Sequence, residues 1–255
     1  MGKIIKYVFY DIVRNKVVLA YTAFLLLLTI GLFSLGGQPD KAVLSLLNLV
    51  LLTVPLISIV FATSHFYNSY EFMELLVAQP IHRSKIFMSE YLGVACSLSG
   101  AFVLGVGLPL LLLGASVTGF YLLLTGVLIT FIFVAMAFLA SVITRDKAKG
   151  IGVALLLWFY FALIYDGIVL FILFSFSDYP LENPTLALTA LNPIDLGRII
   201  VLLNLDVSAL MGYTGALYKS ILGSLWGISL AFGLMLLWIL VPVFASKRIF
   251  SKRDI

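Results

Sequence analysis

The sequence predicts an all-α membrane protein with six transmembrane helices, and three observations support that prediction. Hydrophobic residues make up 62% of the 255 residues, whereas charged residues make up only 11%. Apolar runs of about 20 residues or more recur along the chain, and each is long enough for a helix to cross ~30 Å of hydrocarbon. Of the 16 Lys and Arg residues, 13 fall in segments that would face one side of the membrane if every run crosses it. An ordinary soluble domain is excluded.

The predicted spans and their short connections fill the chain, so we expect one membrane domain, residues 1–255. The spans are placed at about 17–36, 43–64, 88–113, 120–143, 150–176 and 218–245. The basic segments are 1–16, 65–87, 144–149 and 246–255. Only Lys41, Arg198 and Lys219 lie elsewhere. Because loops rich in Lys and Arg remain in the cytoplasm, we expect both termini there.

The first 16 residues predict an amphipathic helix lying in the cytoplasmic interface. Its apolar face would carry Ile4, Ile5, Val8, Phe9, Ile12 and Val13. The helix is either a simple anchor or a lateral helix that also touches a cytoplasmic partner. The following apolar run, Val17 to Leu35, is too long for the core of a signal peptide and lacks an Ala-x-Ala cleavage site. We therefore expect an uncleaved first span.

Small residues recur every four positions in two of the predicted spans. In the third span they are Gly93, Ser97, Ala101 and Gly105, and in the sixth they are Gly223, Gly227 and Ala231. Such a stripe lets the backbone of another helix approach closely. We expect helix packing there, either within the chain or between two copies.

The segment between the second and third spans, residues 65–87, is charged and contains a short helical pattern of its own. In chain order the pattern reads Glu71, Glu74, Leu75, Leu76, Pro80 and Arg83. Acids early in a helix interact favourably with its dipole, and a proline just past the end stops it. The pattern therefore predicts a short cytoplasmic helix before the third span.

This pattern resembles the permease subunits of ABC transporters of the ABC-2 type. Those permeases have Glu, then Leu-Leu, then Pro-Ile/Val-x-Arg, an apolar residue and finally Leu-Gly. The matching residues here are Glu71, Leu75–Leu76, Pro80–Ile81–His82–Arg83, Ile86 and Leu92–Gly93, with His82 in place of the more usual Ser. The resemblance implies a coupling helix that docks on a separate ATPase through Glu71, Glu74, Leu75, Leu76, Pro80 and Arg83. It also implies a bacterial inner membrane and a homodimer. An ordinary amphipathic loop is the alternative.

Two further stretches are similar to a narrower group, the permeases of copper-processing ABC systems for nitrous oxide reductase maturation. They are TRDKAKGIGVALLLWFYFALIYD (144–166) and LNPIDLGRIIVLLNLDVSALMGYTGA (191–216). This resemblance implies two copies of a cytoplasmic ATPase, two copies of the permease and a periplasmic β-helical copper-handling partner. Carried over by position, the residues that would meet that partner are Asn192, Pro193, Asp195 and Arg198.

Residues 177–217 form the only long predicted segment on the outer side. Pro180, Pro184 and Pro193 interrupt it, so we expect short outer helices partly dipped into the interface. Asp166 lies inside the fifth span, where a carboxylate is costly. It is either structural, as a protonated side chain bonded to a neighbouring helix or as one hydrated near the outer surface, or it lines a functional route.

Residues for metal or catalytic chemistry are not grouped in the sequence. Cys96, Met88, Met136 and Met235 are widely separated, so we expect no metal site in this chain and place any copper ligands on a partner. No Gly-rich phosphate loop is present, so ATP and Mg would be bound by the partner ATPase. No nucleophile–base grouping is present, so we expect no enzyme.

Two other functions remain open from the sequence. One is an ABC-2 exporter of a lipid-like or other hydrophobic substrate, and the other is a membrane scaffold that transports nothing. The net charge of +4 is explained by loops beside anionic lipid headgroups, so we expect membrane lipid and no nucleic acid as a partner.

Overall fold

The protein is helical throughout the part described by the computed structural model, residues 2–35, 39–113, 116–144, 146–176, 182–204 and 225–252. Short turns join the helices, and no strand occurs among these residues. The predicted all-α class is therefore confirmed. A helix satisfies its backbone N–H and C=O groups within one segment, as a hydrocarbon environment requires.

Within the described residues, six helical spans are long and apolar enough to cross a membrane. Spans 1 to 6 are Lys16–Leu35, Pro39–Asn68, Arg83–Leu113, Val117–Ile143, Lys147–Ser175 and Leu225–Lys252. The six predicted spans are confirmed, but spans 2, 3 and 6 continue past their predicted bounds into polar sequence. Hydropathy marks only the apolar part of a helix, whereas its hydrogen bonds continue until a cap or turn ends it. The predicted start of span 6, residue 218, lies outside the described residues.

Shorter helices accompany the spans. They are the N-terminal helix (Gly2–Val13), the loop helix (Tyr70–Val77) and the two arms of a bent hairpin (Glu182–Ala190 and Pro193–Leu202). The N-terminal helix buries Val8 and Ile12 of the predicted apolar face, whereas Val13, predicted on the same face, is exposed in the last turn of the helix. We call the end of the bundle that carries the loop helix the loop end, and the opposite end the hairpin end.

Span 4 is the centre of the bundle. Within the 18-residue apolar stretch of each span, 67% of the residues are buried in span 4, whereas 11% are buried in span 5 and 22% in each of spans 1 and 6. It packs against spans 2, 3, 5 and 6 and against the second arm of the hairpin. Gly126 permits one of these approaches, because a β-carbon there would overlap the Phe102 ring of span 3. Any displacement of span 4 would therefore reach most of the bundle.

Two prolines lie inside spans and are accommodated differently. Pro109 of span 3 follows a π-helical stretch, Val103–Gly107. Since a proline ring collides with the carbonyl four residues earlier, a wider preceding turn relieves the collision. Pro55 lies within the uninterrupted helix of span 2. Trp158 Nε1–H of span 5 donates to the Leu52 carbonyl at 3.2 Å, one residue after the Leu51 carbonyl that Pro55 leaves without its helical donor.

The small-residue stripe of span 3 packs inside the chain. A β-carbon at Gly93 would lie 2.5 Å from Val8 of the N-terminal helix. A β-carbon at Gly105 would lie 2.7 Å from Leu25 of span 1. Both glycines therefore allow a neighbouring helix to approach span 3 more closely than a larger residue would. Of the two predicted uses, the contacts of Gly93 and Gly105 are those of packing within one chain.

The other stripe residues are placed as follows. Ser97 Oγ donates to the Gly93 carbonyl of its own helix at 2.7 Å, and Ala101 is buried beside it. In span 6, Gly227 and Ala231 are buried. Gly223 lies outside the described residues.

The bent hairpin enters the bundle from the hairpin end and returns to that end. Its two arms are bent by 111°. Beside the bend, Trp238 Nε1–H donates to the Ala190 carbonyl at 3.1 Å, and Trp238 lies near the middle of span 6. The second arm runs back to Thr118 at the start of span 4, whose hydroxyl donates to the Asn204 carbonyl at 3.1 Å. The hairpin is therefore re-entrant in form.

The short helices predicted between spans 5 and 6 are present, and the bend between them lies beside the middles of spans 5 and 6. Each arm is too short to span a membrane, so a hydropathy window does not register it as an inserted element. Its depth is determined instead by contacts with the middles of other spans.

Replacing Gly93 with alanine is expected to destabilise the protein by about 1–3 kcal/mol, because the added methyl group overlaps Val8. The β-carbon of Val8 would lie 2.8 Å away, and a β-carbon cannot swing aside. Thermal unfolding of the detergent-solubilised protein measures the loss. Gly100→Ala is the matched control in the same span, since a β-carbon there meets nothing within 4 Å. Equal unfolding temperatures for the two variants would contradict the packing described for Gly93.

Candidate functional site

The loop helix presents an exposed face directed away from the bundle. Glu71, Glu74 and Leu75 share this face, because residues three and four apart lie side by side on a helix. All three are exposed, and Leu75 is 68% exposed. The face therefore combines two negative charges with one large apolar side chain, and another protein can reach it.

The opposite face of the loop helix is fixed to the bundle. Met73 and Leu76 are buried, at 1% and 8% exposure. The Phe72 ring stacks on Tyr7 of the N-terminal helix, with ring centroids 5.4 Å apart. Leu76, predicted as a contact to the ATPase, thus lies on the side that faces the bundle. The helix is seated by apolar contacts and also touches the N-terminal helix.

The ends of the loop helix follow the predicted order. Glu71 lies in its first turn, and the helix ends at Val77. Pro80 is exposed in the turn that follows, and Arg83 is the first residue of span 3. The loop helix is therefore joined to span 2 on one side and to span 3 on the other.

A polar cluster that the sequence analysis missed lies where spans 2 and 3 meet the loop helix. His65 Nε2 of span 2 is 3.3 Å from Glu90 Oε2 of span 3, and 3.2 Å from the hydroxyl of Ser69. Glu90 is only 1% exposed. A signal was present, since Glu90 is an acid inside the predicted third span. Its partner lies 25 positions earlier, however, so no local spacing relates them.

The turn between spans 4 and 5 is tied to the same region. The Tyr67 hydroxyl hydrogen-bonds with the side chain of Thr144 at the end of span 4. Asp146 begins span 5 by accepting the backbone N–H groups of Ala148 and Lys149, at 2.8 and 3.0 Å. These bonds hold the pKa of Asp146 below its ordinary value. The stabilisation that Asp146 gives is therefore present above that ordinary value and is lost as the pH falls through the lowered pKa.

A second candidate site joins span 5 to the bent hairpin. Arg198 Nη1 lies 3.2 Å from Asp166 Oδ2 and 2.9 Å from Asp195 Oδ1. One guanidinium thus serves two carboxylates, one from each element. The side chains of Asp166 and Arg198 are each 33% exposed. Charged groups within a span require partners, and this arrangement supplies them. The pairing corresponds to the structural alternative in which Asp166 is bonded to a neighbouring helix.

Asn192 fixes the bend of the hairpin. Its Oδ1 accepts the backbone N–H of Ile194 at 3.0 Å and so caps the second arm. Its Nδ2 donates to the Phe161 carbonyl at 3.0 Å and to Asp195 Oδ2 at 2.9 Å. Phe161 belongs to a π-helical stretch near the middle of span 5, Tyr160–Ile164. The bend is therefore bonded to span 5 well inside the bundle.

This placement bears on the residues predicted to meet a periplasmic partner. Asn192 and Pro193 are buried, and Asp195 and Arg198 are partly buried. A protein arriving from the hairpin end would not reach Asn192 or Pro193 while this packing holds. The partner contact stays a prediction. Residues 177–181 and 205–217 of the predicted outer segment lie outside the described residues.

Possible metal ligands are dispersed in the described part of the chain. No three His, Cys, Asp or Glu side chains in that part come close enough to hold a metal ion. Cys96 is exposed on the side of span 3, while Met235 is buried in span 6.

Comparison with known proteins agrees with the membrane architecture. Residues 3–255 match the family described as ABC-2 family transporter protein. A protein named probable ABC transporter permease protein NosY from Stutzerimonas stutzeri is 27% identical over 268 residues, which cover 95% of each chain. Its namesake from Pseudomonas aeruginosa is 30% identical over 223 residues, covering 79% of this chain and 81% of the relative. The chain therefore belongs to the ABC-2 family of transporter proteins, as a multi-pass membrane permease similar to NosY over most of its length.

Proposed function

We propose that a separate ATPase docks on the loop helix and drives this permease by pushing on it. The observation that carries the proposal is the exposed face of Glu71, Glu74 and Leu75 on a helix whose opposite face is buried. A rigidly seated helix passes a push into the two spans that it joins instead of absorbing it. The concentration of Lys and Arg at the loop end supports a cytoplasmic location for that end, where ATP is available.

The complete assembly contains two copies of the permease and two copies of the ATPase, in the inner membrane of a bacterium. ATP and Mg are bound by the ATPase. The assembly acts in maturation of the copper site of nitrous oxide reductase, with a periplasmic β-helical partner that carries the copper ligands. Support comes from the similarity to proteins named NosY and from the resemblance of residues 144–218 to copper-processing permeases.

The hairpin end is where the movement would be used. The bent hairpin is bonded to span 5 through Asn192 and Arg198, and to span 6 through Trp238. A shift of these spans would therefore displace the hairpin. In the proposed mechanism, a periplasmic partner responds to that displacement.

A second candidate function is export of a lipid-like substrate. The observation in its favour is that Asp166 and Arg198 remain one-third exposed although they lie within the depth of the bundle. Charges exposed at that level could meet the polar headgroup of a lipid passing along span 5. Under this alternative the ATPase is still required, but the periplasmic copper-handling partner is absent.

Affinity purification from membranes of the native host, followed by mass spectrometry, tests these proposals. Recovery of an ABC ATPase together with a periplasmic repeat protein is the expected result. Recovery of the ATPase alone would favour the exporter. Purification of the intact permease without any ATPase would overturn both and favour a scaffold that transports nothing.

Replacing Leu75 or Leu76 with alanine should separate docking from folding. Leu75→Ala should weaken binding of the ATPase about tenfold, with little change in permease stability, because its side chain is exposed. Leu76→Ala should instead destabilise the permease by about 2–5 kcal/mol, because it opens a cavity beneath the loop helix. Titration with the purified ATPase and thermal unfolding measure the two effects. If Leu75→Ala binds the ATPase as tightly as the wild type does, the exposed face is not the docking surface.

The sharing of Arg198 by two carboxylates predicts unequal effects of removing each partner. Asp166→Asn should cost less than about 1 kcal/mol, because Asp195 still neutralises the guanidinium. Arg198→Gln should cost roughly 3 kcal/mol, near the lower end for broken buried pairs because the site is partly exposed. Thermal unfolding of both variants in lipid nanodiscs gives the comparison. Asp166→Asn losing as much stability as Arg198→Gln would contradict the shared arrangement.

A further inference from the structure

The last turn of span 2 bonds to three different elements of the bundle. His65 contacts Glu90 of span 3, as described above. Tyr67 hydrogen-bonds with Thr144 at the end of span 4. Asn68 Oδ1 accepts a hydrogen bond from the Lys147 ammonium at the start of span 5, at 2.7 Å. The loop helix begins only two residues later, so this turn is the point through which the loop helix is connected to several spans at once.

Ser69 lies between span 2 and the loop helix, and its side chain does not cap the loop helix. It occupies the N-cap position of the loop helix, where a serine hydroxyl normally accepts a backbone N–H of the first turn. Its side chain makes no such bond. The hydroxyl lies instead 3.2 Å from His65 Nε2. The residue that starts the loop helix is thereby bonded to the His65–Glu90 pair.

The His65–Glu90 pair is only partly satisfied. With Glu90 ionised, the Nε2–H of His65 donates to Oε2, because a carboxylate can only accept. The other oxygen of Glu90, Oε1, is buried and has no hydrogen-bond partner among the described residues. An unpartnered buried carboxylate oxygen is unfavourable in a fixed structure. It also leaves an acceptor available to a different donor once the helices shift.

Residues beside the pair rest on the central span. Phe66, next to His65, packs against Phe138 of span 4 with ring centroids 5.3 Å apart. Phe87 and Tyr91, which flank Glu90 on span 3, pack against the same ring at 5.6 and 5.9 Å. A relative movement of spans 2 and 3 at the pair therefore cannot occur without changing the contacts of Phe138.

We propose that His65, Ser69 and Glu90 form a joint that transmits movement of the loop helix to spans 2, 3 and 4. The proposal rests on the proposed function, in which an ATPase pushes on the loop helix. Ser69 is held by both elements, because its backbone N–H donates to the His65 carbonyl and its carbonyl accepts the Met73 N–H, each at 2.9 Å. When the loop helix tilts, the Ser69 hydroxyl is displaced from His65 and the Nε2–H of His65 changes partner. Spans 2 and 3 then shift against each other, and Phe138 carries that shift to the central span. The three side chains are positioning residues and touch no nucleotide.

The joint can be tested in the reconstituted complex of permease and ATPase, with spin labels that report movement at the hairpin end. In a Cys96→Ser background, labels are attached at Leu191→Cys, beside the bend, and Leu35→Cys, at the end of span 1. Both positions are exposed, at 57% and 88%. Electron spin resonance gives the distance between labels without nucleotide and with trapped ATP. Co-purification and ATP hydrolysis are measured on the same samples.

Ser69→Ala and Glu90→Gln are expected to reduce the ATP-dependent distance change at least twofold while the ATPase remains bound. Ser89→Ala is the matched control, because Ser89 adjoins Glu90 but its hydroxyl donates only within its own helix, to the Lys85 carbonyl at 2.7 Å. It should behave as the wild type does. His65→Gln retains an N–H donor and should restore more of the movement than His65→Ala.

The outcomes separate the joint from the proposed function. If wild-type permease binds no ATPase, the proposed function fails, and the joint fails with it. If the wild type responds to ATP and Ser69→Ala responds equally, the joint is overturned while the docking proposal stands. Should Glu90→Gln fail to assemble, Ser69→Ala decides, because that change removes no buried charge.

Discussion

Hydrocarbon offers no hydrogen-bond partners, so a polar group inside this bundle is stabilised only by a partner within the protein. Several hydroxyl groups in the spans find that partner locally, whereas those of Tyr21, Ser58, Ser99 and Thr125 are buried without one among the described residues. Thr29, Thr130 and Ser141 each donate to the carbonyl four residues earlier, at 2.8 Å. Charged groups take partners from other elements as well as from their own helix: Arg198 pairs with Asp195 of the second arm and with Asp166 of span 5. Arg198 accordingly holds the hairpin against span 5, and the fold at the hairpin end follows from that requirement.

The features that the sequence predicted are those encoded within one segment. Span lengths and the amphipathic N-terminal helix follow from local periodicity, and the loop helix follows from its acids and Pro80. The depth of the hairpin depends on Trp238 and Asn192 bonding to the middles of other elements, which no window of sequence contains. The His65–Glu90 pair cannot be predicted from local sequence for the same reason, since its two residues lie on different spans. Asp166 stands out in the sequence because it is a carboxylate inside a predicted span. Its partner Arg198 lies in the segment predicted to be on the outer side, so the sequence does not relate the two.

Span 4 connects the two candidate sites physically. At the loop end, Phe138 receives aromatic contacts from spans 2 and 3. At the hairpin end, Thr118 bonds to the second arm, and Gly197 of that arm lies so close to Thr125 that a β-carbon would approach within 2.7 Å. Close-packed contacts of this kind transmit displacement because they leave no slack to absorb it. The two sites are therefore coupled through one rigid element without a chain of polar residues between them.

The hydrogen bonds and ion pairs at the loop end differ from those at the hairpin end in how easily they can rearrange. At the loop end, Glu90 Oε1 has no partner among the described residues, so a shift there can move the His65 hydrogen bond from one carboxylate oxygen to the other without losing it. At the hairpin end, two polar contacts cross from the hairpin to span 5, Arg198 to Asp166 and Asn192 to the Phe161 carbonyl. Separating the hairpin from span 5 would break both contacts at once. We therefore expect a push from the loop helix to rearrange the loop end and to move the hairpin and span 5 together as one body. The contacts that rearrange therefore lie beside the proposed docking surface of the loop helix. The hairpin and span 5, which keep their mutual contacts, lie where the proposed periplasmic partner would respond.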